Sequence, residues 1–143
     1  MDEVQSLLDL DGIDIHYFDK DGCTSLWMAS QEGHIDIVKV LLKAGGNVNQ
    51  AQTTDGCTPL YIASHNGHLA TVKVLIKAGG NANQHSHKNQ TPLNIACYFG
   101  KINIVRLLLQ QPNIDTNKIN DWNLTPCANA EAQGHHEIVT LFE

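Results

Sequence analysis

The apolar residues of this chain gather in short blocks that return at a fixed distance. From Ile35 to Leu42 only Asp36 and Lys39 interrupt the run, from Leu69 to Ile76 only Thr71 and Lys73, and from Ile102 to Leu109 only Asn103 and Arg106. Apolar cover of that width exceeds a single stripe, so each block predicts a helix buried by neighbours on both sides. A shorter segment precedes each block and opens at Thr24, Thr58, Thr91 or Thr125. A threonine hydroxyl can accept a backbone N–H at a helix start, and Pro59, Pro92 and Pro126 suit the first helical position, where no donor is needed. Gly33, Gly67, Gly100 and Gly134 then end the short helix in a left-handed conformation. The predicted unit is helix, turn, helix and loop.

The two landmarks agree on the period: both threonines and glycines step by 34, 33 and 34 residues. Residues 22–50 read GCTSLWMASQEGHIDIVKVLLKAGGNVNQ, and residues 56–84 read GCTPLYIASHNGHLATVKVLIKAGGNANQ. A third copy, NQTPLNIACYFGKINIVRLLLQ, covers 89–110, and a fourth, NLTPCANAEAQGHHEIVTLFE, covers 123–143. Ala44-Gly45-Gly46 stops the second helix, and Asn47-Val48-Asn49 leads into an extended excursion, a hairpin-like finger between units. Leu41, Leu75 and Leu108 are expected in the core.

The stretches TPLYIA at 58–63, TPLNIA at 91–96, GHIDIVKVLLKAG at 33–45 and GHLATVKVLIKAG at 67–79 resemble the ankyrin repeat family, with its unit of ~33 residues and its TPLHxA signature. The resemblance implies an all-α solenoid of stacked helix-turn-helix units with hairpin-like finger loops. Its expected divisions are a partial N-terminal repeat at 1–18, full repeats at 19–52, 53–85 and 86–119, and a capping or truncated repeat at 120–143. Val4-Gln5-Ser6-Leu7-Leu8 and Gly12-Ile13-Asp14-Ile15 look like half of a preceding unit, and the chain begins and finishes within second helices, as a fragment of a larger protein would.

Four departures qualify the analogy. Trp27, Tyr61, Asn94 and Ala128 replace the histidine of TPLH, so the hydrogen bonds that histidine gives are not carried over. Asn89 and Asn123 replace the turn glycine and suit a left-handed position next best. The third loop, residues 111–117, has no glycine. Cys127, Asn129 and His136 place polar groups at expected core positions of the last unit, as in a terminal cap.

Length and charge narrow the function. The 143 residues fit one domain, 42 % apolar content suffices for a core, and a net charge of −6 with 17 % charged residues argues against nucleic acid. No apolar run approaches the ~20 residues of a membrane span, and Met1-Asp2-Glu3 lacks a basic signal-peptide start. Cys23, Cys57, Cys97 and Cys127 contain no CxxC pair, which favours a reducing compartment, cytoplasm or nucleus. Stacked helices lie ~8–10 Å apart, beyond the ~7 Å reach of a disulfide, so Cys23 and Cys57 are expected to stay unpaired and Cys97 to pack as a small residue.

No catalytic, cofactor or metal site is expected. His85 and His87 alternate on one finger, and His65 and His68 flank Gly67, but two loop histidines fall short of the three or four ligands of zinc. His34, His68 and His135 occupy the Gly-His position of the resemblance. Lys39, Lys73 and Arg106, with Lys43 and Lys77, form a basic line on the outer side of the second helices. A solvated face explains it before an acidic partner does.

A binding protein is therefore the expectation, not an enzyme. In ankyrin-like proteins the concave surface of finger tips and first helices holds the partner. That places Phe18, Lys20, Asp21, Gln31 and Glu32 of the first unit, and Gln52, Thr54, Asp55, His65 and Asn66 of the second, on the binding face. The third unit adds His85, His87, Lys88, Tyr98 and Phe99, and the fourth adds Asp121 and Trp122. Exposed aromatics make the anchors of interfaces, which singles out Phe18, Tyr98, Phe99 and Trp122. For Phe99 and Trp122 local shielding of the core is an equal reading. The expected partner is another protein and the expected state a monomer. The alternatives are a self-associating unit with incompletely covered ends, or a metal-binding protein.

Overall fold

The computed structural model describes residues 15–143, which fold into eight helices paired in four units. The first unit holds α1 (Ser25–Glu32) and α2 (Ile35–Lys43), the second α3 (Pro59–Asn66) and α4 (Leu69–Lys77). The third holds α5 (Pro92–Tyr98) and α6 (Ile102–Leu109), the fourth α7 (Pro126–Ala132) and α8 (His136–Thr140). Of the expected partial repeat at 1–18, residues 1–14 lie outside the described residues, and Ile15 packs against the core.

Each first helix starts as the sequence predicts. Thr24, Thr58, Thr91 and Thr125 accept the backbone N–H three residues on, at 3.1 to 3.2 Å. The first two of these helices stop at a left-handed glycine, Gly33 and Gly67, while the other two are capped by Phe99 and Gln133 and turn at left-handed Gly100 and Gly134 next in the chain. At Gly33 the φ of +71° is reinforced by crowding, since a Cβ there would lie 2.6 Å from Nδ1 of His68. Asn89 and Asn123 do take the glycine's left-handed place, at φ 58° and 62°. The glycine-free third loop turns on Asn113, at φ 60°.

First helices stack on first helices and second on second, so the core runs unbroken between the two layers. Leu60, Leu75, Leu93 and Leu108 are fully buried, Leu41 nearly so, and Cys97 packs among them. The fingers join through their backbones rather than by strands. Thr53 donates to the carbonyl of Asp21 at 2.9 Å, His87 to Asp55 at 2.8 Å, and Asp121 to Lys88 at 3.1 Å. Among the described residues the only bridge of strand type is Phe18 with Thr24.

A second seam follows the second helices, where Asn49 accepts from the backbone of Asn81 and Asn83 from that of Asp115. Their side-chain amides donate to the carbonyls of Gly79 and Asn113. These bonds hold the loops in register between units.

The last unit departs from expectation. His136 is exposed and Cys127 half-buried, so only Asn129 of the three polar substitutions lies in the interior. A five-residue α8 leaves His136 on its solvent side.

Candidate functional site

The positions that lack the family histidine do bind across the repeat, by other chemistry. The indole N–H of Trp27 donates to the carbonyl of Cys57 at 2.9 Å, and the hydroxyl of Tyr61 donates to Oε1 of Gln90 at 2.7 Å. Asn94 closes a reciprocal cap with Thr91 and donates to the carbonyl of Lys118 at 3.2 Å. An indole, a phenol and an amide thus each reach a neighbouring segment from the positions where the histidine's bonds could not be carried over. Ala128 has no such group. A second set of clamps runs from helix end to helix end, where Nε2 of His68 meets the carbonyl of Gln31 and Nε2 of His135 that of Tyr98.

These bonds fix the face on which the candidate residues stand. Phe18, Lys20, Asp21 and Glu32 are exposed in the first unit, with Gln31 half-buried beneath His68. Thr54 and Asp55 are exposed at the second finger tip, His65 is half-buried, and Asn66 is tied to the carbonyl of Gln31 at 3.0 Å. Gln52 is a correction. It is 7 % exposed, and its amide both accepts from the backbone of Asp55 and donates to its carboxylate, so it builds the turn and presents nothing outward.

The third and fourth units carry the aromatics. Tyr98 is 38 % exposed, Phe99 43 % and Trp122 56 %. Phe99 is the hub, 4.5 Å edge-on from the ring of His65 and 4.9 Å from that of Tyr98. The ammonium of Lys88 lies 5.4 Å from the Trp122 ring centre, a cation–π distance. Asp121 accepts from the side chain of Asn89 at 2.8 Å.

Between these rings opens a cleft of about 430 Å³. It is lined by Tyr61 and His65 of the second unit, Gln90, Ile95, Tyr98 and Phe99 of the third, and Trp122, Leu124 and Asn129 of the fourth. Asn129 is 1 % exposed, and its side-chain nitrogen has no hydrogen-bond partner. Tyr61, Gln90, Ile95, Leu124 and Asn129 were not candidates from sequence. Asn129 did carry a signal, since it stands where the other units have Met28, Ile62 and Ile95.

Burial pushes the thiols of Cys57 and Cys97 up to about 12, with the charge of Asp55 adding to the first. Such thiols are poor nucleophiles. Among the described residues no three of His, Cys, Asp or Glu gather to hold a metal ion. His85 points its Nδ1 at the carbonyl of Ser86, and the ring of His87 packs over Gly56. On the outer side Lys39, Lys43, Lys73 and Lys77 are exposed, and Arg106 lies 3.6 Å from Glu137.

A family model described as ankyrin repeats (3 copies) matches the chain over residues 1–85, 45–120 and 71–142. This chain belongs to the ankyrin repeat family. No curated protein matches it closely enough to add a relative to that assignment. Ankyrin repeats are in general protein–protein interaction modules and typically not enzymes. No helix among the described residues is long and apolar enough to cross a membrane.

Proposed function

We propose that this chain is a protein-binding module that holds its partner on the finger and first-helix face, with Tyr98, Phe99 and Trp122 as anchors. The observation that carries the reading is the cleft ringed by these exposed aromatics, on a scaffold whose other large apolar groups are mostly buried. Exposed aromatics beside a pocket are the usual seat of binding energy in an interface. Of the two readings of Phe99 and Trp122, their exposure favours the anchor over a core shield. The unpaired, largely buried thiols support a reducing compartment, cytoplasm or nucleus.

The test uses partners captured by the immobilised chain from its native host and identified by mass spectrometry. Tyr98→Ala or Trp122→Ala weakens capture by ~2 kcal/mol or more while the melting curve stays near the parent's. Lys39→Ala with Lys73→Ala changes neither. Normal capture by the aromatic variants, with loss in the lysine variants, moves the site to the basic outer line.

A further inference from the structure

The binding face has two unlike halves. On the first two units its exposed charges are Asp21, Glu32 and Asp55 against the single Lys20. On the third and fourth the exposed groups are mainly aromatic, and the two flanking charges, Lys88 and Asp121, are opposite in sign. The whole chain carries −6, so its long-range field adds to the local excess of carboxylates.

The cleft itself has no charged wall, and it has a buried amide nitrogen without a partner at Asn129. A donor sealed from water and unmatched costs stability. The volume, about 430 Å³, falls low in the roughly 300–1,000 Å³ range of ligand pockets. It accommodates one large side chain with an adjoining peptide group.

Resting on the reading that this face holds a protein, we propose that the partner offers an extended basic segment with one large apolar side chain. That side chain enters the cleft at Phe99 and Trp122, and the basic groups meet Asp55, Glu32 and Asp21. The spacing follows from the stack. Neighbouring helices pack 8–10 Å apart and an extended chain advances about 3.3 Å per residue, so one repeat corresponds to about three residues of the partner. Counted from Phe99 in the third unit, Asp55 stands one unit away and Glu32 and Asp21 two. Basic residues therefore belong about three and about six positions from the anchor.

The probe is a synthetic heptapeptide with phenylalanine at one end and lysines at that spacing, glycine and serine between, made in both chain directions. Nuclear magnetic resonance of the full chain follows the indole N–H of Trp122 and the side-chain amide of Asn129. In at least one direction the peptide shifts both signals. Exchanging lysine for glutamate, or phenylalanine for alanine, weakens binding at least about tenfold, and added salt weakens only the lysine peptide. In a Glu32→Gln, Asp55→Asn variant the lysine and glutamate peptides bind alike, while the need for phenylalanine remains. The proposal is overturned if neither direction binds, if lysine and glutamate peptides bind the parent equally, or if the shifts fall away from Trp122 and Asn129. Such a result beside Trp122→Ala still losing captured partner leaves the binding face in place and removes only this partner chemistry. Normal capture by Trp122→Ala removes the binding face itself.

Discussion

The second and third units and the fourth unit begin alike and cohere differently. Thr58, Thr91 and Thr125 cap their helices with the same bond, each followed by proline, and a left-handed glycine lies at or just past each helix end. In the second and third units these helices enclose fully buried Leu60, Leu75, Leu93 and Leu108, and Tyr61 and Asn94 reach the next finger. In the fourth, Ala128 and Asn129 replace the reaching group and the aliphatic. Asn120 and Asn129 leave amide nitrogens unpaired, and α8 has five residues where α4 has nine. Local start and stop signals thus work whether or not the interior is well filled. Cohesion between units rests on separate positions, consistent with repeat arrays whose stability sums unit and interface contributions.

The largest test removes core from each region. Leu75→Ala or Leu108→Ala should cost ~2–5 kcal/mol, because helices on both sides prevent the cavity from closing. Ile138→Ala in α8 should cost less than about half of that, since a short, less enclosed helix can relax around the loss. Urea denaturation of the three variants measures the difference. Equal losses would mean the fourth unit is held as firmly as the second.

Next in size is the bond between units. Tyr61→Phe keeps the ring but strands Oε1 of buried Gln90, which should cost ~1–3 kcal/mol in the same denaturation experiment. A loss within error would show that the phenol contributes packing alone.

What was legible from sequence follows the same division. The caps, glycines, asparagine turns and leucine core were readable because each is dictated by backbone geometry or burial within one unit. Contacts between units were not, since they depend on which side chain faces which finger. The histidine's bonds could not be carried over to Trp27 and Tyr61, and the bonds these two make instead, to Cys57 and Gln90, were not foreseen. Gln52 read as an exposed finger residue, yet its amide folds back onto Asp55. The cleft was half legible: Tyr98, Phe99 and Trp122 broke the repeat as exposed aromatics, whereas Tyr61 was read only as a replacement of the TPLH histidine and Ile95 carried no signal.

Asn129 can be turned against the comparison. Asn129→Leu restores the aliphatic character of Met28, Ile62 and Ile95 and removes an unpaired buried amide. It should stabilise the chain by ~1 kcal/mol in thermal or urea melts. Partner binding should weaken at the same time, because the amide lines the cleft and functional groups commonly cost stability. A destabilised variant would mean that the amide is satisfied within the folded chain.

The smallest effect separates Cys97 from its counterparts. Ser30 and Ser64 occupy the equivalent helix position and donate to the carbonyls of Leu26 and Leu60, at 2.7 and 2.8 Å. A serine at 97 can donate to Leu93 in the same way, so Cys97→Ser should change stability at neutral pH by less than ~1 kcal/mol. Alkaline pH should tell the two apart. Burial lifts the Cys97 thiol to about 12, against 9.0 for an ordinary thiol. Its stabilising contribution is therefore complete below 9.0 and is lost as pH rises from there toward 12, because the unfolded chain gives up the proton first. Cys57, raised to the same level, keeps its share in either protein. The melting temperature of the parent should thus fall more steeply than that of Cys97→Ser between neutral pH and pH values above 9.0, and parallel curves would show that Cys97 ionises as freely in the folded chain as in the unfolded one.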